Sequence, residues 1–237
     1  MSPVSRFLPA LCCAVLVGGL LTGCVSTVGG TAVGAGKGTP VPTDVPPLKK
    51  SDLDRVLLSA GEINGIMDTT GIRVSASAEG MSDNSDAVSD LKCLGAIYGA
   101  EENVYKGSDW TDVRDQVLQE PLTDNDHWVE QVAVLYPSAE KAQKFVDDSR
   151  TTWQRCSSKP IDVSNADVDA TWDLEDADVS GSVLTQTSTQ RDADGWSCQH
   201  ALTNASNLVV EAWACSDLIK GEAHSIVSEM LKNAAKK

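Results

Sequence analysis

Leu21, Thr22, Gly23 and Cys24 close an apolar run near the start of the chain, and that tetrapeptide has the form of a lipobox. A small residue ahead of an accessible thiol is what thioether formation with diacylglycerol requires, so Cys24 is predicted to carry diacylglyceryl and palmitate-class chains. Arg6 is the only charged residue ahead of Lys37, and Phe7 to Leu21 is rich in Leu, Val and Ala. That run has the length of a signal-peptide core and is too short for an ordinary bilayer span. Residues 1–23 are therefore expected to leave as a lipoprotein signal peptide, taking Cys12 and Cys13 with them. Several acyl chains on one cysteine hold a bilayer durably, because each buried methylene contributes about 0.8 kcal/mol.

Cys93, Cys156, Cys198 and Cys215 remain in the body of the chain. In an exported protein an even number of cysteines points to disulfides, and four allow three pairings. Cys198 and Cys215 stand at equal distance from the polar turn Asn204-Ala205-Ser206-Asn207, so in a symmetric hairpin they face each other within disulfide reach. Cys93 is then left with Cys156. A four-cysteine metal site is disfavoured because no CxxC is present and the histidines lack ligand spacing, so no metal and no cofactor are expected.

The other reactive residue types do not assemble into a recognisable catalytic pattern. His127, His200 and His224 are the three histidines, and neither a GxSxG elbow nor a reactive-cysteine signature accompanies them. His200 is expected to face Trp213 across the hairpin. Gly36-Lys37-Gly38-Thr39 resembles the end of a phosphate loop, but Thr31 and Gly38 occupy positions where the pattern needs glycine and a hydroxyl. Asp192-Ala193-Asp194-Gly195 mimics half of a calcium loop and lacks both its first ligand and its closing Glu. It reads as a turn into Trp196; the acidic runs Asp83 to Asp90, Asp124 to Asp126 and Asp173 to Asp178 read as solvated loops. No catalytic residue is assigned and the protein is expected not to be an enzyme.

Six tryptophans against two phenylalanines give the chain an unusual aromatic balance. Large amphipathic rings serve either a core or a ligand groove. Trp128, Trp153 and Trp213 fall on apolar stripes and read as core. Trp110 and Trp172 adjoin polar segments and are the candidates for a ligand-binding cleft.

The net charge of −15 argues against nucleic acid and against a basic surface that grips anionic lipid. Residues 24–50 are rich in Gly, Thr, Val and Pro without apolar periodicity, which predicts a lipid-anchored tether, flexible and then stiffer, ahead of one domain over 51–237. Within the domain a helix is expected from Ser51 to Ser59, a strand from Thr70 to Ala78 and a helical patch around Cys93, Ile97 and Tyr98. Trp110 to Gln119 reads as an edge-like strand and Trp128 to Tyr136 as a central one. Ser138 caps a helix carrying Ala142, Phe145, Ser149, Trp153 and Cys156 on one face. Strands follow at Val179 to Gln190, Trp196 to Thr203 and Leu208 to Cys215, and Ser216 is expected to cap a last amphipathic helix. The class is α+β: a mostly antiparallel central sheet with helices on one face, two disulfides and a single domain.

Cys93 followed by Trp110, Val129-Glu130-Gln131-Val132-Ala133-Val134, Pro137-Ser138-Ala139 with Ala142, Phe145, Trp153 and Cys156, and finally Trp196, Cys198 and Cys215 form a set of structural motifs. Over roughly Leu53 to Leu231 this set resembles the PknH-like extracellular sensor-domain family, which also occurs on stand-alone mycobacterial lipoproteins. The resemblance implies the same two disulfides, a central sheet with helices on one side, and a solvent-exposed cleft for a ligand. The chain shows no kinase domain and no membrane helix after Leu21, so a receptor domain without its kinase is expected. The combined expectation is a lipid-anchored, extracytoplasmic protein of the mycobacterial cell membrane or envelope. Its non-catalytic domain would bind a small molecule, a cell-wall component or an envelope protein; lipid carriage or protein-partner binding is the alternative.

Overall fold

Strands β8 (Ser197–Ala205) and β9 (Leu208–Ser216) turn through Ser206 and Asn207, and the tight connection sets a register in which Cys198 faces Cys215 and His200 faces Trp213. Beyond β9 lie β3 (Trp128–Leu135), β2 (Asp112–Gln119) and the edge strand β1 (Arg73–Ala78). Beyond β8 lie β7 (Val183–Gln190), β5 (Asp169–Leu174) and β4 (Pro160–Ser164), and β6 (Asp178–Ser180) also pairs with β7. Every pairing among the nine strands is antiparallel. This computed structural model describes residues 42, 44–121, 126–165 and 169–236, all within the unit Gly36–Lys237. Cys24, the signal peptide, the phosphate-loop mimic, Asp124 and most of the tether fall outside the described residues.

The α+β class, the antiparallel sheet, the single domain and the two disulfides are as the sequence predicts. The helices differ from the expectation, because they cover both faces of the sheet. Successive strand residues point to opposite sides, and here both sides are buried. On the first face, α1 (Leu53–Val56), α2 (Ala60–Ile66) and α6 (Glu222–Ala235) pack on Val129, Ala133, Leu135, Ala201, Val210 and Ala212. On the second, α3 (Leu94–Ile97), α4 (Glu102–Tyr105) and α5 (Ala139–Cys156) pack on Val132, Val134, Leu184, Leu202 and Val209. The near-continuous burial of β3 and β9 is the signature of a strand covered on both sides.

Several boundaries move for local reasons. Ser59 starts a helix instead of ending one: Ser59 Oγ accepts from the Glu62 amide at 3.3 Å and Glu62 accepts from the Ser59 amide at 2.8 Å, a reciprocal capping box. Gly221, not Ser216, precedes α6, where Glu222 accepts from the Lys220 and Gly221 amides at 2.6 and 2.7 Å. Ser216 instead closes β9. β2 is internal, and the exposed edge is β1. β4 and most of β5 fall where no element was expected, the end of β5 lies in the acidic run read as a solvated loop, and the strand expected from Val179 to Gln190 is broken by a turn at Gly181, with φ +64°, into β6 and β7. Ser138 caps α5 as expected, accepting from the Lys141 amide at 3.4 Å.

Packing also begins ahead of Ser51. Val45 and Leu48 are buried in the first-face core. Asn207 accepts from the Leu48 amide at 2.8 Å and donates to the Leu48 carbonyl at 3.0 Å, so the hairpin turn holds the end of the proposed tether.

Cys93 and Cys156 are disulfide-bonded across 5.7 Å between Cα atoms, and Cys198 and Cys215 across 4.0 Å. They close loops of 63 and 17 residues. In the chain-entropy description these contribute about 4 and about 3 kcal/mol.

Candidate functional site

Helix α5 covers the second face only as far as Trp153, and past it the sheet is open. The open part forms a cleft of about 390 Å³. Strand alternation supplies its floor: Trp128 and Glu130 from β3, Trp213 and Cys215 from β9, Cys198 from β8, and Ser188 and Gln190 from β7. Val163 of β4 and Trp172 of β5 build one wall, and Ile97 with Tyr98 at the end of α3 build another. Trp196 stands at the start of β8, after the turn in which Asp192, Asp194 and Gly195 all adopt positive φ. The Cys198–Cys215 disulfide thus lies in the floor, and four of the six tryptophans surround the opening.

A stacked column ties the floor to the core. The Trp213 ring lies 4.2 Å from His200, which lies 4.0 Å from Trp153 of α5, measured between ring centroids. His200 is fully buried and burial lowers its pKa, so the ring is neutral at pH 7. Its Nε2 is 2.7 Å from Glu211 Oε1. Glu211 also accepts from Tyr105 Oη at 2.9 Å and from the Ala100 amide at 3.3 Å.

Glu130 sits on the neighbouring strand with its carboxyl against Gly99. A Cβ added at Gly99 would stand 2.8 Å from Glu130 Oε2, so only glycine leaves the carboxyl its place. Burial, with Asp115 and Glu211 beside it, pushes the Glu130 carboxyl well above the usual range. Burial likewise pushes Asp115, hydrogen-bonded to Glu130, up to about 6. Two carboxyls this close and this buried share one proton, held by Glu130 at neutral pH. Glu101, bonded to Asn84, is raised by burial as well.

The structure brings some of the predicted residues together and separates others. Trp172 lines the cleft; Trp110 packs against the second-face core and takes no part in it. Trp128 and Trp213, read as core, lie in the floor of the cleft, and Trp153 alone of those three is wholly core. The overlooked signal is the register: Trp128 lies opposite Cys215, which lies opposite Cys198, so both cysteines and both tryptophans must share one face. His127 is occupied by Glu120 at 3.1 Å, and His200 faces Trp213 as predicted. His200 Nδ1 meets no hydrogen-bonding group among the described residues, so the Glu211–His200 pair has no nucleophile to activate. Among the described residues no three His, Cys, Asp or Glu side chains are placed to hold a metal ion.

Together these features define a disulfide-stapled α+β domain whose open sheet face carries an aromatic cleft. The chain matches the PknH-like extracellular domain over residues 48–233, and it belongs to that family. It is 31% identical over 198 residues to the serine/threonine-protein kinase PknH of Mycobacterium bovis and to that of Mycobacterium tuberculosis. Each match covers 83% of this chain, which spans about a third (33% and 32%) of the kinases' length. The crystal structure of the extracellular domain of PknH from Mycobacterium tuberculosis superimposes with a TM-score of 0.77 at 32% identity, covering 81% of this chain and 99% of that one. No helix among the described residues is long and apolar enough to cross a membrane.

Proposed function

We propose that this chain is a cell-envelope lipoprotein, anchored outside the cytoplasm through Cys24, whose domain binds a small molecule in the second-face cleft without catalysis. The signal peptide 1–23, the tether from residue 24 and the lipid on Cys24 rest on the lipobox and the apolar leader. Family membership supports an extracytoplasmic setting.

One observation carries the binding role. Ser188 and Trp213 line the cleft, are 2% and 4% exposed, and their Oγ and Nε1 have no hydrogen-bond partner among the described residues. Leaving such a group unsatisfied costs about 1–3 kcal/mol, so these two atoms mark where a ligand would complete the site. The cleft volume is at the small end for drug-sized ligands, which favours a compact molecule over a lipid with several acyl chains. Titration of intrinsic tryptophan fluorescence with cell-envelope extracts tests this reading. A saturable response that Trp172→Ala and Trp196→Ala diminish and Trp110→Ala leaves intact is expected; no saturable response overturns it.

A further inference from the structure

Among the described residues the cleft is lined without a single Lys, Arg or His, and Glu130 is the carboxyl side chain in that lining. Behind Glu130 stand Asp115 on β2, Glu211 on β9 and Glu101 just ahead of α4, all felt by its carboxyl. The basic group among them, His200, is held neutral by burial. We infer that the cleft takes an organic cation of the alkylated-ammonium class that also carries a hydroxyl or ester oxygen, its cationic head lying among the indoles beside Glu130. This inference rests on the cleft being a binding site and names what fills it.

Three features converge on that chemistry. Indole faces are the best side-chain partners for a quaternary ammonium, which has no N–H to satisfy and is attracted to the ring quadrupole by about 0.5–2 kcal/mol per well-placed ring. Trp128, Trp172, Trp196 and Trp213 supply four such rings, with Tyr98 adjoining. The Asp115–Glu130 pair retains negative charge at neutral pH, and a low-dielectric wall transmits it into the cleft. An anion would be repelled there, and an uncharged saccharide would leave the charge uncompensated. Finally, Trp213 Nε1 only donates hydrogen bonds, and it has no acceptor among the described residues. A ligand oxygen near the cationic head supplies one.

Choline and 3,3-dimethylbutan-1-ol have the same shape and hydroxyl and differ by the positive nitrogen. They can be titrated into the full-length chain, with N-acetylglucosamine as an uncharged saccharide, while the six indole N–H resonances are followed by NMR. Choline should shift the resonances of the cleft tryptophans saturably and leave those of Trp110 and Trp153 in place. The uncharged alcohol should need about tenfold more, and Asp115→Asn, which removes the negative charge of the Asp115–Glu130 pair, should narrow that ratio to about threefold. Trp172→Ala should weaken choline binding with the Trp153 resonance unmoved, which shows that the fold persists. If the alcohol binds as well as choline, or the saccharide saturates where choline does not, the cation class is overturned and the cleft stands as a binding site. If none of the three probes nor a cell-envelope extract shifts a cleft indole, the binding reading itself falls.

Discussion

The two faces of one sheet are built from alternate residues of the same strands and have opposite character. On β9 the first face presents Leu208, Val210, Ala212 and Ala214 to α6, a dry and fully apolar surface. The second presents Glu211, Trp213 and Cys215 to a charged network and a cleft. β3 repeats the division, with Val129, Ala133 and Leu135 on one side and Glu130 on the other. The buried polar strand residues of the first face are satisfied: Gln131 accepts from the Leu58 amide at 2.8 Å and donates to the Leu58 carbonyl at 2.8 Å, and Thr203 donates to the Ser182 carbonyl at 3.0 Å. Among the described residues the second face keeps unsatisfied atoms on Asp115, Gln186, Ser188, His200 and Trp213. The first face thus carries apolar or paired groups, and Ser188 and Trp213 on the second face are left unpaired at the cleft.

Variants on the two faces should separate these roles. Largest in effect, replacing Cys93 and Cys156 by Ala releases a loop of 63 residues and should cost about 4 kcal/mol in a denaturant titration. A smaller loss, about 3 kcal/mol, is expected for Ile226→Ala, which empties a fully buried site between α6 and the first face. If Ile226→Ala proves neutral, the first face is not the stabilising core.

The carboxyl pair on the second face gives a prediction of opposite sign. Asp115 has a folded pKa raised from 3.8 to about 6, so the native state binds a proton that the unfolded chain releases. Its contribution is fully present below pH 4 and is lost as pH rises through about 6, on the order of 1–3 kcal/mol. Asp115→Asn should flatten that decline and stabilise the protein at neutral pH, read as thermal midpoints from pH 4 to pH 7. A decline that persists unchanged in Asp115→Asn would remove Asp115 as its cause. Smallest of all, Trp172→Ala and Trp196→Ala at the rim should change stability by less than about 1 kcal/mol.

Much of the frame was legible in residue patterns. The helix capped by Ser138, the hairpin around Ser206 and Asn207, and the pairing of Cys198 with Cys215 follow from spacing, because a tight turn or a cap leaves one register. The division of the helices between two faces was not legible: the patch around Cys93 and Ile97 is α3, but α3 and α4 have four residues each, too few turns to show which face they cover. β4 and β5 were hidden for a related reason, their short alternation being masked by acidic exposed positions. Trp172 was found from its polar neighbours, but Trp110 shares those neighbours and packs elsewhere. Trp128 and Trp213 were missed because a tryptophan on a buried strand reads as core until the covering helix is seen to stop short of it.

The division between the faces is tested most directly by measuring stability and extract-induced tryptophan fluorescence on Ile226→Ala and Trp172→Ala side by side. Ile226→Ala should lose about 3 kcal/mol and, while folded, keep the saturable response, whereas Trp172→Ala should keep its stability and lose most of the response. A folded Ile226→Ala that no longer responds, or a Trp172→Ala that responds like the parent chain, would contradict it.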